Sequence, residues 1–117
     1  MAYMLLVVEK TGDRRLRTEE EGRALYERML RFSADLQRRG LLKMSQSLKA
    51  DAEAVRVSKG AGKQIVRDGP FSEAREMIGG FFLLSCETRD EAVAVAGECP
   101  AAEWATIEVR ELGPCFE

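Results

Sequence analysis

The order of apolar and polar positions divides the chain into strands and helices. The run from Tyr3 to Val8 is apolar at every position, which is typical of a strand covered on both faces. Residues 79–86 are also apolar on both alternating faces and predict a second strand of this kind. Elsewhere apolar and polar residues alternate, which predicts strands with one wet face. These strands cover residues 42–48, 55–58, 64–66 and 105–110.

A capping box predicts where the first helix begins. Thr18 is followed three residues later by Glu21, so the hydroxyl and the carboxylate can each accept a hydrogen bond from the other's backbone N–H. Gly40 is a suitable carboxyl-terminal stop. Between these points apolar residues recur at spacings of four, three and four, which predicts one buried stripe. The stripe consists of Leu25, Met29, Phe32 and Leu36.

A second helix is predicted from Thr88, with Glu91 as a second capping box, to a stop at Pro100. The element order is then strand, helix, strand, hairpin, strand, helix, strand. This order is the ferredoxin-like βαββαβ arrangement with an inserted hairpin, an antiparallel sheet with two helices on one face. The two strands that are apolar on both faces are the two that this topology makes central, which supports a single α+β domain over residues 1–117.

A sheet with helices on one face only leaves the other face of its central strands open. Monomers rarely expose an apolar patch larger than roughly 300–600 Å². We therefore expect a homodimer in which the open sheet faces of two copies pack together.

Charge and composition narrow the class of protein. The 18 basic residues are balanced by 20 acidic ones, with a net charge of −2, so no nucleic-acid partner is expected. Arg14, Arg15 and Arg17 are interpreted as a solvated surface cluster, since acidic residues follow directly. The first apolar run is far shorter than the roughly 20 residues that span a bilayer, and it lacks the features of a signal peptide. The three cysteines form no close pair and leave an odd thiol, and together these features predict a cytoplasmic protein without a membrane partner.

The sequence contains no histidine. A Ser-His or Cys-His nucleophile pair is therefore excluded, and a zinc site would depend on carboxylates and scattered cysteines. No metal site and no cofactor are predicted.

A series of short segments along nearly the whole chain resembles the YCII-related family, in its branch marked by an Asp-Gly-Pro-Phe motif. The resemblance implies a small bacterial protein with a dimeric α+β barrel fold and a site in the cleft between helices, sheet and partner. Some members of this branch are associated with alternative sigma factors. In relatives with a proposed chemistry a histidine paired with an aspartate carries it, and this chain has no such histidine. The segments are Tyr3 to Leu6, Ala54 to Arg56, Asp68 to Glu73, Gly79 to Phe81, Cys99 to Ala102 and Glu108 to Arg110.

Asp68 is the candidate catalytic residue, as a general acid or base. A structural role remains open for it, because aspartate and glycine favour turns and its carboxylate could cap a short helix near Ser72. Arg56 could pair with Asp68 or hold an anionic ligand, or it could be a surface arginine. Glu73 could be a base or a first-turn helix carboxylate.

Two further residues are candidates for ligand binding. Ser45, predicted on the wet face of its strand, could hydrogen-bond a ligand. Tyr3 could offer its hydroxyl to the cleft, or it could belong to the core or an interface.

These features support three hypotheses. The first is a homodimeric protein that binds a small, anionic ligand in a cleft near the Asp-Gly-Pro-Phe turn, with a regulatory or sigma-factor-associated role. The second is a small-molecule enzyme that uses Asp68 as general acid or base. The third is a purely structural dimer.

Overall fold

Six strands and two helices follow one another in the predicted order, in a computed structural model that describes residues 2–116. The ends of the predicted domain, residues 1 and 117, lie outside this range. Three short 3-10 turns are Asp13–Leu16, Asp51–Glu53 and Pro100–Glu103. The main elements are β1 (Tyr3–Lys10), α1 (Glu19–Arg38), β2 (Leu42–Ser47), β3 (Val55–Gly60), β4 (Lys63–Asp68), β5 (Glu76–Leu84), α2 (Arg89–Glu98) and β6 (Thr106–Glu111).

The main sheet has the strand order β2-β5-β1-β6, and all of its pairings are antiparallel. The two strands predicted as central, β1 and β5, are central, which confirms the ferredoxin-like α+β arrangement. Leu5 lies opposite Phe82 on one neighbour and opposite Val109 on the other. The alternation along β1 therefore assigns each of its side chains to one face of the sheet.

Both helices pack on the same face of this sheet. Phe32 and Leu36 of α1 and Val95 of α2 join one buried cluster with alternate residues of β1 and β5. The rings of Phe32 and Phe82 meet edge to face at 5.2 Å, a favoured aromatic geometry. The strand residues of this cluster are Tyr3, Leu5, Val7, Phe82 and Leu84.

The two helices begin where the sequence predicts. Thr18 and Glu21 form both hydrogen bonds of the capping box. Thr88 accepts a hydrogen bond from the Glu91 N–H, but only this half of the second predicted box forms. Burial, and next the Glu91 carboxylate, raise the pKa of Cys86.

A β-bulge changes which side chains of β2 face the helices and which face the open side of the sheet. The register against β5 shifts between Leu42 and Met44, so Lys43 is an extra residue and every later side chain changes face. Met44 is therefore exposed on the open face, whereas Ser45 turns toward α1 and is half-buried. The prediction that Ser45 lies on the wet face was wrong for this reason.

β3 and β4 form a separate two-stranded sheet, which we call the arm (residues 55–68). Its tight turn is built on Ala61 and Gly62, both with positive φ, as hairpins of this length require. The arm projects from the body, since the Cα radius of gyration is 16.0 Å against about 13 Å for a compact chain of this length. Both of its faces are exposed to solvent.

Between residues 2 and 116, no helix is both long and apolar enough to cross a membrane.

Candidate functional site

A cavity of about 460 Å³ lies between α1 and the main sheet. We call it the helix–sheet cavity. It lies where both surfaces lack bulk: Gly22 on α1, and Gly79 with Gly80 on β5, carry no side chain. A Cβ atom on Gly80 would meet the Gln46 carbonyl oxygen at 2.9 Å, so the strand pairing itself favours glycine there. The apolar walls are formed by Val7, Leu25, Met29, Leu30, Phe82 and Trp104.

An ion pair closes one end of this cavity. Arg14 donates from Nε to Glu9 Oε1 at 2.7 Å and from Nη2 to Glu9 Oε2 at 3.2 Å. The Glu9 side chain is 8% exposed and that of Arg14 is 32% exposed. A buried carboxylate is costly unless it is paired and hydrogen-bonded, and the two-pronged contact with the guanidinium meets both requirements.

Backbone carbonyls hold Arg14 in place. Its Nη1 donates to the carbonyl oxygen of Leu48 at 2.7 Å, and its Nη2 donates to that of Gly79 at 3.2 Å. A side chain on Gly79 would collide with Glu9 and Arg14. The 3-10 turn that follows Gly12 carries Arg14. The Arg14 guanidinium thus contacts β1, β5 and the residue that directly follows β2.

Two further polar features line the cavity. Arg17 is half-buried in its wall and has no ion pair within residues 2–116. The hydroxyl oxygens of Ser33 on α1 and Ser45 on β2 lie 2.8 Å apart, so one donates to the other. The predicted candidate Ser45 thus belongs to this cavity, although it reaches it through the bulge.

The Asp-Gly-Pro-Phe turn lies at the base of the arm. Asp68 is the last residue of β4, is exposed and pairs across the arm with Val55. Asp68 lines neither the helix–sheet cavity nor the cleft beside the turn. Its assignment as a catalytic residue stays a prediction.

The capping role considered for Asp68 belongs to another aspartate. The Phe71 N–H donates to Asp51 Oδ2 at 3.4 Å, and Asp51 is 8% exposed. Gly69 allows this approach, because a Cβ atom there would collide with the Asp51 carbonyl oxygen. Asp51 comes from the 3-10 turn before β3, so the contact joins the two ends of the arm.

Arg56 and Glu73 meet on the surface of the turn. Arg56 lies over the Phe71 ring, at 3.8 Å from its centroid, and is 3.5 Å from Glu73. Glu73 also pairs with Arg67, and this hydrogen bond is the main reason that its pKa is lowered. The segment after Phe71 is a turn rather than the expected short helix, so Glu73 complements two arginines instead of a helix dipole.

A second cleft, of about 510 Å³, lies beside this turn. Asp51, Arg56 and Phe71 line it, and Leu48 separates it from the helix–sheet cavity by lining both. The Arg56 guanidinium at this cleft is already engaged with Phe71 and Glu73.

Tyr3 lies in the core. It is 5% exposed and packs in the cluster below the two helices, and burial raises its pKa. Its side chain lines neither of the two cavities.

Sequence analysis missed Glu9, Arg14 and Asp51. The apolar run in the sequence ends at Val8, but β1 continues to Lys10 and Glu9 keeps the buried alternation of Leu5 and Val7. The interpretation of Arg14 and Arg17 as part of a solvated cluster was wrong, because both are half-buried in the cavity wall, Arg14 in the 3-10 turn and Arg17 directly after it. The sequence signal that could have revealed the Glu9–Arg14 pair is the position of the two residues on either side of a turn at Gly12.

No group of three histidine, cysteine, aspartate or glutamate residues suited to a metal ion occurs within residues 2–116.

The fold and the cavity define a class: a small ferredoxin-like α+β domain with an opening of ligand size between helix and sheet. The model of the YCII-related domain matches residues 1–115, and the chain belongs to this family. An uncharacterised protein of Rhizobium meliloti (strain 1021) is 36% identical over 92 residues, which cover 74% of each chain.

A solved structure shows the same fold at low sequence identity. It is 5-chloro-2-hydroxyhydroquinone dehydrochlorinase from Burkholderia phenoliruptrix AC1100, in complex with 2,5-dihydroxybenzoquinone. The TM-score is 0.56 at 14% identity, with 97% of this chain and 94% of that chain covered. At this identity the similarity concerns the fold alone.

Proposed function

We propose that this chain binds a small ring compound in the helix–sheet cavity. The observation that carries the proposal is the cavity itself: about 460 Å³, with apolar walls and a held ion pair at one end. Ligand sites typically have about 300–1,000 Å³, mostly apolar lining and a few fixed polar groups. The structural neighbour binds a small ring compound, 2,5-dihydroxybenzoquinone, which supports a ligand of that size.

The cavity is a better anion site than the cleft beside the Asp-Gly-Pro-Phe turn. In the cleft, a ligand would have to displace Glu73 or Phe71 from Arg56. In the cavity, Arg17 has no such competitor among the described residues. We therefore propose that the ligand expected from the sequence binds in the helix–sheet cavity and not in the cleft beside the turn. Leu48 separates the two sites.

Two glycines provide a matched test. A Cβ atom on Gly22 meets nothing within 4 Å, and neither does one on Gly97; Gly22 lines the cavity and Gly97 lies in α2. Binding of phenol, catechol, 4-hydroxybenzoate and 2,5-dihydroxybenzoquinone would be measured by ligand-observed NMR. We expect Gly22→Leu to abolish binding and Gly97→Leu to leave it unchanged. Equal binding by both variants, or no binding by the unmodified chain, would refute the proposal.

The second candidate function is an enzyme, favoured by the dehydrochlorinase activity that the name of the structural neighbour states. In this hypothesis Asp68 is the general acid or base. Because Asp68 is exposed, Asp68→Asn should fold normally. Chloride release from 5-chloro-2-hydroxyhydroquinone by the unmodified chain but not by Asp68→Asn would support an enzyme. If the unmodified chain releases no chloride, the result would favour a protein that binds a ligand without converting it. Such a protein suits the regulatory role implied by the family resemblance.

We also propose that two copies pair through the open sheet face. Half-buried Leu6 and Phe81 lie on this face beside Met44, which is 51% exposed. The arm adds exposed Val57 and Ile65, and a lone two-stranded hairpin is marginal in water. A partner would cover both surfaces. Light scattering should show a dimer for the unmodified chain and a monomer for Met44→Glu. The control Leu16→Glu, on an exposed turn, should remain a dimer. A monomeric unmodified chain would contradict the pairing.

A further inference from the structure

Two hydrogen-bonded polar groups line the helix–sheet cavity, in addition to Arg17, Gln46 and Ser47. In one, Arg14 contacts the Leu48 carbonyl oxygen; in the other, Ser45 contacts Ser33. Ser45 and Leu48 are three residues apart at the end of β2, which corresponds to about 10 Å along an extended chain. The cavity wall also contains apolar residues, including Met29 and Phe82.

The arginine end favours an acidic group. Three charged residues line the cavity, Glu9, Arg14 and Arg17, and their charges sum to one positive charge. A guanidinium has five N–H donors. Arg14 uses four of them on Glu9 and the two carbonyls, which leaves one on Nη1. This donor and the guanidinium of Arg17 are both suited to a carboxylate.

The serine end favours a hydroxyl or carbonyl oxygen. In the Ser33–Ser45 pair one hydroxyl donates to the other, so the accepting hydroxyl still has its own hydrogen to offer, and both oxygens have free lone pairs. The pair can thus donate to a ligand oxygen and also accept from a ligand hydroxyl. Neither serine has a histidine base, since the chain contains none, so this end recognises a ligand without activating a nucleophile.

We infer that the ligand is a hydroxylated aromatic carboxylate, with the carboxylate at Arg17 and Arg14 and the ring hydroxyl at the serine pair. The inference rests on the proposed function and specifies its ligand. A cavity of about 460 Å³ is large enough for one six-membered ring that carries both groups.

Matched ligands and matched variants test this recognition. The ligands are 4-hydroxybenzoate, its neutral counterpart 4-hydroxybenzamide, and benzoate, which lacks the hydroxyl. The variants are Arg17→Gln and Ser45→Ala, with Arg15→Gln as control because Arg15 is exposed and lies outside the cavity lining. Dissociation constants would be measured by calorimetry at neutral pH, with thermal melting to establish that each variant is folded.

We expect the unmodified chain to bind 4-hydroxybenzoate at least about tenfold more tightly than the amide, which corresponds to about 1.4 kcal/mol. Arg17→Gln should remove most of this preference and Arg15→Gln should keep it. Ser45→Ala should remove the advantage of 4-hydroxybenzoate over benzoate. Equal affinity for acid and amide, or a preference unaffected by Arg17→Gln, would overturn the inference while binding of neutral rings still supports the proposed function. If no ring compound binds, both fail.

Discussion

The carboxylate of Asp51 accepts a hydrogen bond from the backbone N–H of Phe71, 20 positions later in the chain. Beside it, the Gly69 N–H donates to the Ala54 carbonyl oxygen at 2.8 Å. These contacts close the base of the arm. The Phe71 ring is buried there, outside the main core cluster and beneath the guanidinium of Arg56.

Phe71 is therefore expected to stabilise the protein strongly although it belongs to a turn. Phe71→Ala should lower the free energy of unfolding by about 3 kcal/mol, since large buried aromatic rings typically contribute this much. Phe116 is 85% exposed, and Phe116→Ala should change it by less than about 0.5 kcal/mol. Urea denaturation of both variants checks this. Similar losses of free energy of unfolding in the two variants would mean that the Phe71 ring does not stabilise the protein.

The Glu9–Arg14 pair should behave as a buried interaction. Glu9→Ala deprives the partly buried Arg14 guanidinium of two acceptors, and we expect the free energy of unfolding to fall by about 2 kcal/mol. The control is Glu19→Ala, because Glu19 pairs with Arg23 on the surface of α1 with both side chains more than 70% exposed. That change should amount to less than about 0.5 kcal/mol. Equal losses in urea denaturation would show that burial adds nothing to the pair.

Glu73 should make stability depend on acidity. Its folded pKa is lowered, chiefly by the hydrogen bond from Arg67. Its contribution is therefore complete above the pKa of the unfolded chain and is lost as the pH falls through the folded pKa. Glu73→Gln should melt below the unmodified chain at neutral pH, and the difference should shrink at about pH 3. The control is Glu87→Gln, because Glu87 is exposed and has no ion pair within residues 2–116; its melting temperature relative to the unmodified chain should not depend on pH in this way. A difference in melting temperature for Glu73→Gln that stays constant with pH would contradict the pairing.

The three thiols should differ in reactivity. Burial raises the pKa of Cys86 and of Cys99, so few thiolates form near neutral pH and reagents have little access to them. Cys115 is exposed. Iodoacetamide at neutral pH should modify one cysteine in the folded chain and three in urea, as counted by mass spectrometry. Modification of Cys86 at the rate of Cys115 would show that the core opens readily.

Local signals made the fold predictable. Thr18 and Glu21 lie within one helical turn, and the apolar character of β1 and β5 is visible in each strand alone. The site depended on tertiary contacts. A single extra residue at Lys43 turned Ser45 toward α1, and the burial of Arg14 depends on carbonyls of Leu48 and Gly79, which are distant in sequence. The Asp-Gly-Pro-Phe turn indicated the family more clearly than the position of the cavity.

The central position of β1 has a consequence for how the chain is made. Both neighbours of β1, β5 and β6, come from residues 76–111. During synthesis β1 therefore leaves the ribosome before either of its neighbours and has both edges unpaired until they follow, whereas the arm can pair locally. Such distant pairings fold slowly and leave apolar strands open to aggregation. The strand at the centre of the finished sheet is thus the segment most in need of protection in the nascent chain.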